Sequence, residues 1–240
     1  MTAELFRDDA ALRECNATVV ALAEGGVILD RTVFYPQGGG QAGDAGALLL
    51  ADGRRVAVAD ARKSKEHLGA VLHLLADADA SLLPPGTRVT ARIDWQRRHA
   101  HMRFHTSTHL LCALVPHPVD GCSITAAYAR LDFHMSEPLD KEALSAGIAR
   151  LVAQAHAVRQ RWISEAELDA NPSLVRSMSV QPPRGLGRVR VIDIEGVDLQ
   201  PCGGTHVANT AEIGAVIVTK IEKKSAMTRR VVLGFAEMRT

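Results

Sequence analysis

The stretch from Arg92 to Pro116, RIDWQRRHAHMRFHTSTHLLCALVP, decides how the chain is organised. Its first two residues close an alternating run, Arg88–Ile93, that reads as a strand. Asp94 then offers a side chain suited to cap a helix, and helix-forming residues continue to the stop at Pro116-His117-Pro118. Upstream, short apolar runs separated by turn residues predict strands at Thr18–Leu22, Val27–Leu29, Thr32–Tyr35, Ala47–Leu50, Arg55–Ala59 and Val71–Leu74, with Asp52-Gly53 as a hairpin signal. Many short strands at this spacing predict a small barrel or sandwich. Downstream, Leu144, Ile148, Leu151, Ala155 and Val158 recur on one face, which predicts a helix over Lys141–Arg159. Ser164-Glu165-Ala166-Glu167 reads as a capping box opening a short helix before Pro172. Strands return at Val189–Ile194, Ala215–Ile221 and Arg230–Phe235. The second half is therefore α+β, and the expected domains are 1–93 and 94–240.

Apolar residues make up 47% of the 240 residues but aromatics only 4%, so any core is built mainly from Leu, Val, Ile and Ala. A formal net charge of +1 excludes a disordered polyelectrolyte. It also means that a nucleic-acid partner must be held by local basic patches, because the global field is weak. No apolar run approaches the length of a membrane span, and the start, MTAELFRDDA, lacks a signal-peptide core, so a cytoplasmic protein is expected. Cys15, Cys112, Cys122 and Cys202 show no disulfide-framework spacing; in a reducing compartment they are thiols or metal ligands.

His105 and His109, four apart on the predicted helix, share a face and can bind one metal ion. The metalloprotease motif has this spacing with a Glu after the first His; Thr106 stands there instead, which disfavours such a peptidase. Pro201-Cys202-Gly203-Gly204-Thr205-His206 holds a second pair, Cys202 and His206, around a glycine turn. Either pair alone is compatible with ordinary buried side chains. Together they supply His105, His109, Cys202 and His206, a nitrogen and sulfur set that suits zinc better than magnesium or calcium.

His-Thr-Ser-Thr-His-Leu-Leu followed by Cys-Gly-Gly-Thr-His resembles the signature of the alanyl-tRNA synthetase editing domain and its freestanding AlaX relatives. Asp94-Trp95-Gln96-Arg97-Arg98, Met102-Arg103, Arg130-Leu131-Asp132-Phe133 and Glu212-Ile213-Gly214 agree with it. Phe34-Tyr35-Pro36-Gln37-Gly38-Gly39-Gly40-Gln41 is similar to the glycine-rich motif of the medium-length AlaX class. The resemblance implies a small N-terminal β-barrel followed by an α+β zinc-binding editing domain. It implies zinc at all four positions, and the acceptor end of tRNA(Ala) carrying a wrong amino acid, serine or glycine, as substrate. One departure is Lys223-Lys224-Ser225-Ala226-Met227, where relatives often carry glycines.

Other candidates follow from these. The three glycines serve either as a tight connection or as a loop presenting Gln41 to the editing pocket. Thr125 is either a strand threonine or the group that recognises a serine hydroxyl. Arg97, Arg98, Lys223 and Lys224 are candidate tRNA contacts, with Arg92 and Arg103 as further basic residues, against the plainer reading of a solvated face. His101 is expected beside the site rather than in it, and Cys112 in the core. Two alternatives to editing are a metallohydrolase of small esters or amides and a non-catalytic, zinc-stabilised tRNA-binding module. The threonyl-tRNA synthetase editing domain fits less well, because its Cys-x-Gly-Pro-His differs from Cys202-Gly-Gly-Thr-His206.

Overall fold

The structure, a computed structural model, describes residues 1–77, 80–178, 182, 185 and 187–236. Its strands are β1 (Ala3–Glu4), β2 (Glu14–Ala23), β3 (Gly26–Leu29), β4 (Arg31–Thr32), β5 (Gly46–Leu50), β6 (Arg55–Lys63), β7 (Val71–Leu75) and β8 (Arg88–Ile93). After helix α1 (Trp95–Leu114) come β9 (Val119–Ile124), β10 (Ala129–His134), α2 (Lys141–Ala153), β11 (Val158–Ser164) and α3 (Glu165–Ala170). The chain continues with β12 (Arg188–Ile194), β13 (Asp198–Pro201), β14 (Val216–Ser225) and β15 (Thr228–Phe235). It divides into two compact units, Met1–Gly38 with Ala42–His99, and Gly39–Gln41 with Ala100–Thr240.

In the first unit, β2-β3-β7-β6-β5-β8 close into a barrel, which resolves barrel against sandwich. Alternate residues turn inward and fill it with Val19, Val27, Leu29, Leu48, Val58, Val71, Val89 and Ala91, the small branched core that the composition requires. Asp52-Gly53 forms the expected turn between β5 and β6: the Gly53 N–H donates to Leu50 O at 3.0 Å, and Gly53 sits at φ +86°. The expected strand Thr32–Tyr35 stops at Thr32. Beyond it the backbone donors are taken by side chains, Phe34 N–H by Thr32 Oγ1 at 3.0 Å and Tyr35 N–H by the Asp44 carboxylate at 2.7 Å, so no ladder forms.

That carboxylate belongs to a buried ion pair. Arg98 is wholly buried and donates to both Asp44 oxygens, to Ala10 O at 2.8 Å and to Val33 O at 2.6 Å. Arg98 is thus corrected from tRNA contact to structural anchor: with no exposed surface and four of its five N–H donors engaged inside the unit, its guanidinium cannot meet a phosphate.

In the second unit, β14-β15-β10-β9 form an antiparallel sheet on which α2 packs, and β11-β12-β13 form a smaller one covered by α3. Strands β9 and β11 escaped the sequence reading because Val119-Asp-Gly-Cys-Ser-Ile124 and Val158-Arg-Gln-Arg-Trp-Ile-Ser164 carry no clean alternation. Strand β13 is only four residues long, whereas β10 alternates Ala129, Leu131 and Phe133 inward and was passed over. Helix α2 ends at Ala153 rather than Arg159. Ala155 takes the left-handed conformation at φ +55°, Thr210 Oγ1 donates to Leu151 O at 2.9 Å, and Asn209 Nδ2 donates to Ala155 O at 2.8 Å. The helix end is therefore capped by residues more than fifty positions away, and Val158 is free to open β11. Asp94 does cap α1, accepting the Arg97 N–H at 3.1 Å. Among the described residues no helix is long and apolar enough to cross a membrane.

Candidate metal centre

His105 and His109 lie one turn apart on α1; Cys202 and His206 lie on the glycine loop after β13. Their ligand atoms all fall within 4.8 Å of one another, and the group can hold a metal ion. Cys202 Sγ is 3.3 Å from His105 Nε2 and 3.3 Å from His206 Nε2. A tetrahedron of zinc bonds has donor–donor edges of about 3.4–3.7 Å, so the two sulfur–nitrogen separations are close to those of one shared ion.

Every imidazole is aimed by a partner at its other nitrogen. His105 Nδ1 donates to Gln41 Oε1 at 2.8 Å, His109 Nδ1 to Asp198 Oδ2 at 2.8 Å, and His206 Nδ1 to Thr106 Oγ1 at 3.2 Å. A carboxylate accepts only. The Gln41 amide is oriented by the Thr205 N–H, which donates to the same Oε1 at 3.1 Å, while Gln41 Nε2 donates to Thr205 Oγ1 at 3.0 Å. The Thr106 hydroxyl donates to Met102 O at 3.0 Å, which leaves its lone pairs for His206 Nδ1–H and the Val207 N–H. Each ring thereby keeps its proton on Nδ1 and turns Nε2 toward the other donors, the arrangement expected around bound zinc. Burial alone would raise the Cys202 thiol, but His105 and His206 outweigh it and hold the thiol well below its ordinary value, favouring the metal-binding thiolate. Burial disfavours the charged form of His109, yet Asp198 and Cys202 push it up to about 10, so an ion binding there displaces a proton.

The loop geometry explains two of the glycines. A Cβ on Gly204 would lie 2.1 Å from His105 Cε1 and 2.9 Å from Gln41 Oε1, so only glycine admits this approach. Gly40, at φ +82°, would place a Cβ 2.9 Å from Cys122 Sγ; its carbonyl accepts the Ile124 N–H at 2.8 Å and seats Gln41 beside β9. Arg190, almost fully buried, clasps the metal loop by donating to Cys202 O at 2.8 Å and Gly204 O at 3.0 Å.

The other candidates are placed as follows. Gln41, expected near the editing pocket, is buried beside the candidate centre and holds His105. The Thr125 hydroxyl donates to Tyr128 O at 3.0 Å and accepts the Ala127 and Tyr128 N–H groups, closing the β9–β10 turn. Arg97 donates to Gly43 O at 3.1 and 3.0 Å, and Arg92 pairs with Glu14 at 2.6 Å. Arg103 donates to Ile213 O at 2.7 Å and lies 4.0 Å over the Phe235 ring. Lys223 and Lys224 are exposed near the β14–β15 turn. His101 and Cys112 are buried on α1. The sequence reading missed Asp198, Thr106 and Arg190. Thr106 was noticed only for not being Glu, and no local pattern points Asp198 at a histidine 89 residues away.

Asp198 is further held by Gln200 Nε2 at 2.8 Å to Oδ2 and 3.0 Å to Oδ1. Asp198→Ala and Gln41→Ala are each expected to weaken zinc binding about 10- to 100-fold while the circular dichroism spectrum is kept. Competition against a chelator of known affinity reads this directly; unchanged affinity in both would show that these partners do not aim the imidazoles.

Comparison with known proteins agrees with this architecture. Residues 189–232 match the family model described as the threonyl and alanyl tRNA synthetase second additional domain. Residues 5–97 match that of the class II (A) tRNA synthetases. Both matched models describe tRNA synthetases. Alanyl-tRNA editing protein AlaX-M of Methanosarcina mazei is 33% identical over 239 residues, covering 96% of this chain and 95% of its own length. The AlaX-M protein of Methanosarcina barkeri is 35% identical, with 96% and 97% covered. The chain belongs to the AlaX-M family of alanyl-tRNA editing proteins. The alanine–tRNA ligase of Pyrococcus furiosus is also similar, 32% identical over 98% of this chain but only 26% of the ligase.

Proposed function

We propose that the chain is a cytoplasmic, zinc-dependent deacylase that removes a wrong amino acid, serine first and glycine second, from tRNA(Ala). The observation that carries this reading is the four-donor centre whose three imidazoles each have Nδ1 held by a separate partner. Family membership supplies the substrate class. Zinc held by His105, His109, Cys202 and His206 would supply Lewis-acid chemistry at the ester. The protein's part is to keep His105, His109 and His206 as Nε2 donors, to keep Cys202 as thiolate, and to fix the glycine loop through Arg190. The need for such an activity is physical: a pocket made for alanine rejects neither glycine nor serine strongly, so a second hydrolytic site corrects the error.

A deacylation assay on serine-, glycine- and alanine-charged tRNA(Ala) tests the proposal. Serine and glycine are expected to be released and alanine retained; equal rates on all three remove the proofreading role. One observation favours a second reading. Hydrolytic zinc sites keep an open position, whereas four protein donors make a closed one, as in a zinc-stabilised tRNA-binding module. Stoichiometric zinc and tRNA binding without deacylation would select that reading.

Lys223 and Lys224 are proposed to neutralise tRNA phosphates. Replacing both with Ala is expected to flatten the log–log salt dependence of tRNA binding by roughly one to two units, since each neutralised phosphate adds about 0.7 to 0.9. Zinc content should not change. An unaltered slope, measured by filter binding across a salt series, removes these two contacts.

A further inference from the structure

Trp162 on the edge strand β11 is 46% exposed, and the Arg188 guanidinium lies 4.5 Å from its ring centroid. Trp162 pairs directly with Arg190 on β12, so the two share a face of the sheet. The row continues across β13, where the Cys202 N–H donates to Arg190 O at 3.1 Å and Arg190 Nη1 returns to Cys202 O. Two strand spacings separate Trp162 from Cys202 along this row, about 10 Å between backbones. Arg188, two residues before Arg190, lies on the same face.

Charge distinguishes the two faces. Across the sheet, Arg159 is paired with Glu195 and Arg161 with Asp193. Arg188 has no carboxylate partner among the described residues, and its contact there is the indole. An exposed aromatic ring, an uncompensated guanidinium against it, and a metal loop about 10 Å away in the same row match what a single-stranded nucleic-acid end offers: a base with a π-face, a phosphate and a terminal ribose.

We propose that Trp162 and Arg188 form the platform on which the terminal base of the acceptor end stacks, with Arg188 meeting the adjacent phosphate, while the ester reaches the centre at Cys202. The assignment rests on the deacylase reading for its substrate. The chain has two tryptophans, so Trp95→Phe makes Trp162 the single fluorescent reporter. A tRNA(Ala) minihelix with its single-stranded 3′ end should quench that emission, and the same helix made blunt should not.

In the deacylation assay with serine-charged minihelix, Trp162→Ala should raise KM about tenfold with little change in kcat, and Trp162→Phe should restore most of the loss. Zinc content should be equal in all variants. Equal quenching by the blunt helix, or an unchanged KM in Trp162→Ala, overturns the platform. If the unaltered protein hydrolyses none of the charged tRNAs, the deacylase reading fails alone, and the fluorescence comparison still decides the platform.

Discussion

Protein carrying Cys202→Ala is expected to retain less than about a tenth of the zinc of the unaltered chain and to lose deacylation by about three orders of magnitude. Cys202 Sγ is 3.3 Å from the Nε2 atoms of both His105 and His206, so its removal takes away the single anionic donor of the four. Three neutral imidazoles remain, without the thiolate that their own proximity favours. The Gly204 N–H, which donates to Cys202 Sγ at 3.4 Å, loses its acceptor as well. Elemental analysis after dialysis measures the metal, and pre-steady-state release of serine measures the chemistry. Because ligand loss can also loosen a domain, circular dichroism accompanies both. Full zinc content in the variant would show that the cysteine is not a ligand, whatever the activity.

Arg98→Ala is expected to destabilise the barrel unit by about 3–5 kcal/mol, the effect of removing one partner of a buried pair and leaving the other uncompensated. Asp44 is as fully buried as Arg98, and the carbonyls of Ala10 and Val33 would be orphaned with it. Trp95, whose indole lies 4.4 Å from the Arg13 guanidinium in the same unit, gives a fluorescence signal for urea unfolding. Arg98→Met combined with Asp44→Leu should recover part of the loss, because an apolar pair leaves no stranded charge. The recovery is incomplete, since the Tyr35 N–H loses the Asp44 carboxylate. A change below about 1 kcal/mol in Arg98→Ala would mean that the arginine is solvated, and would restore it as a candidate phosphate contact.

These residues show where sequence and structure divide the information. His105 and His109 were legible because helical periodicity is local: a spacing of four fixes a shared face whatever surrounds it. Cys202 and His206 were legible because a glycine turn between two ligand types is a short, chemically specific pattern. The switch from strands to helix at Asp94 was legible for the same reason, since a cap acts over three residues. The α+β class with a closed barrel followed from runs of short strands together with the family resemblance.

Tertiary structure decided what depends on distant partners. It brought Cys202 to His105 across 97 positions of sequence, and Asp198 to His109 across 89. It set Gln41 against His105, whose imidazole it aims, and made Arg98 the buried partner of Asp44 rather than an exposed phosphate contact. It ended α2 at Ala153 through Thr210 and Asn209, although the apolar period continues to Val158. The sequence by itself determined which side chains can bind a metal and on which local elements they ride, because periodicity and turn chemistry act within a few residues. The tertiary structure alone decided which nitrogen of each histidine is free and which charges are buried, because both depend on groups that meet only when the chain has folded.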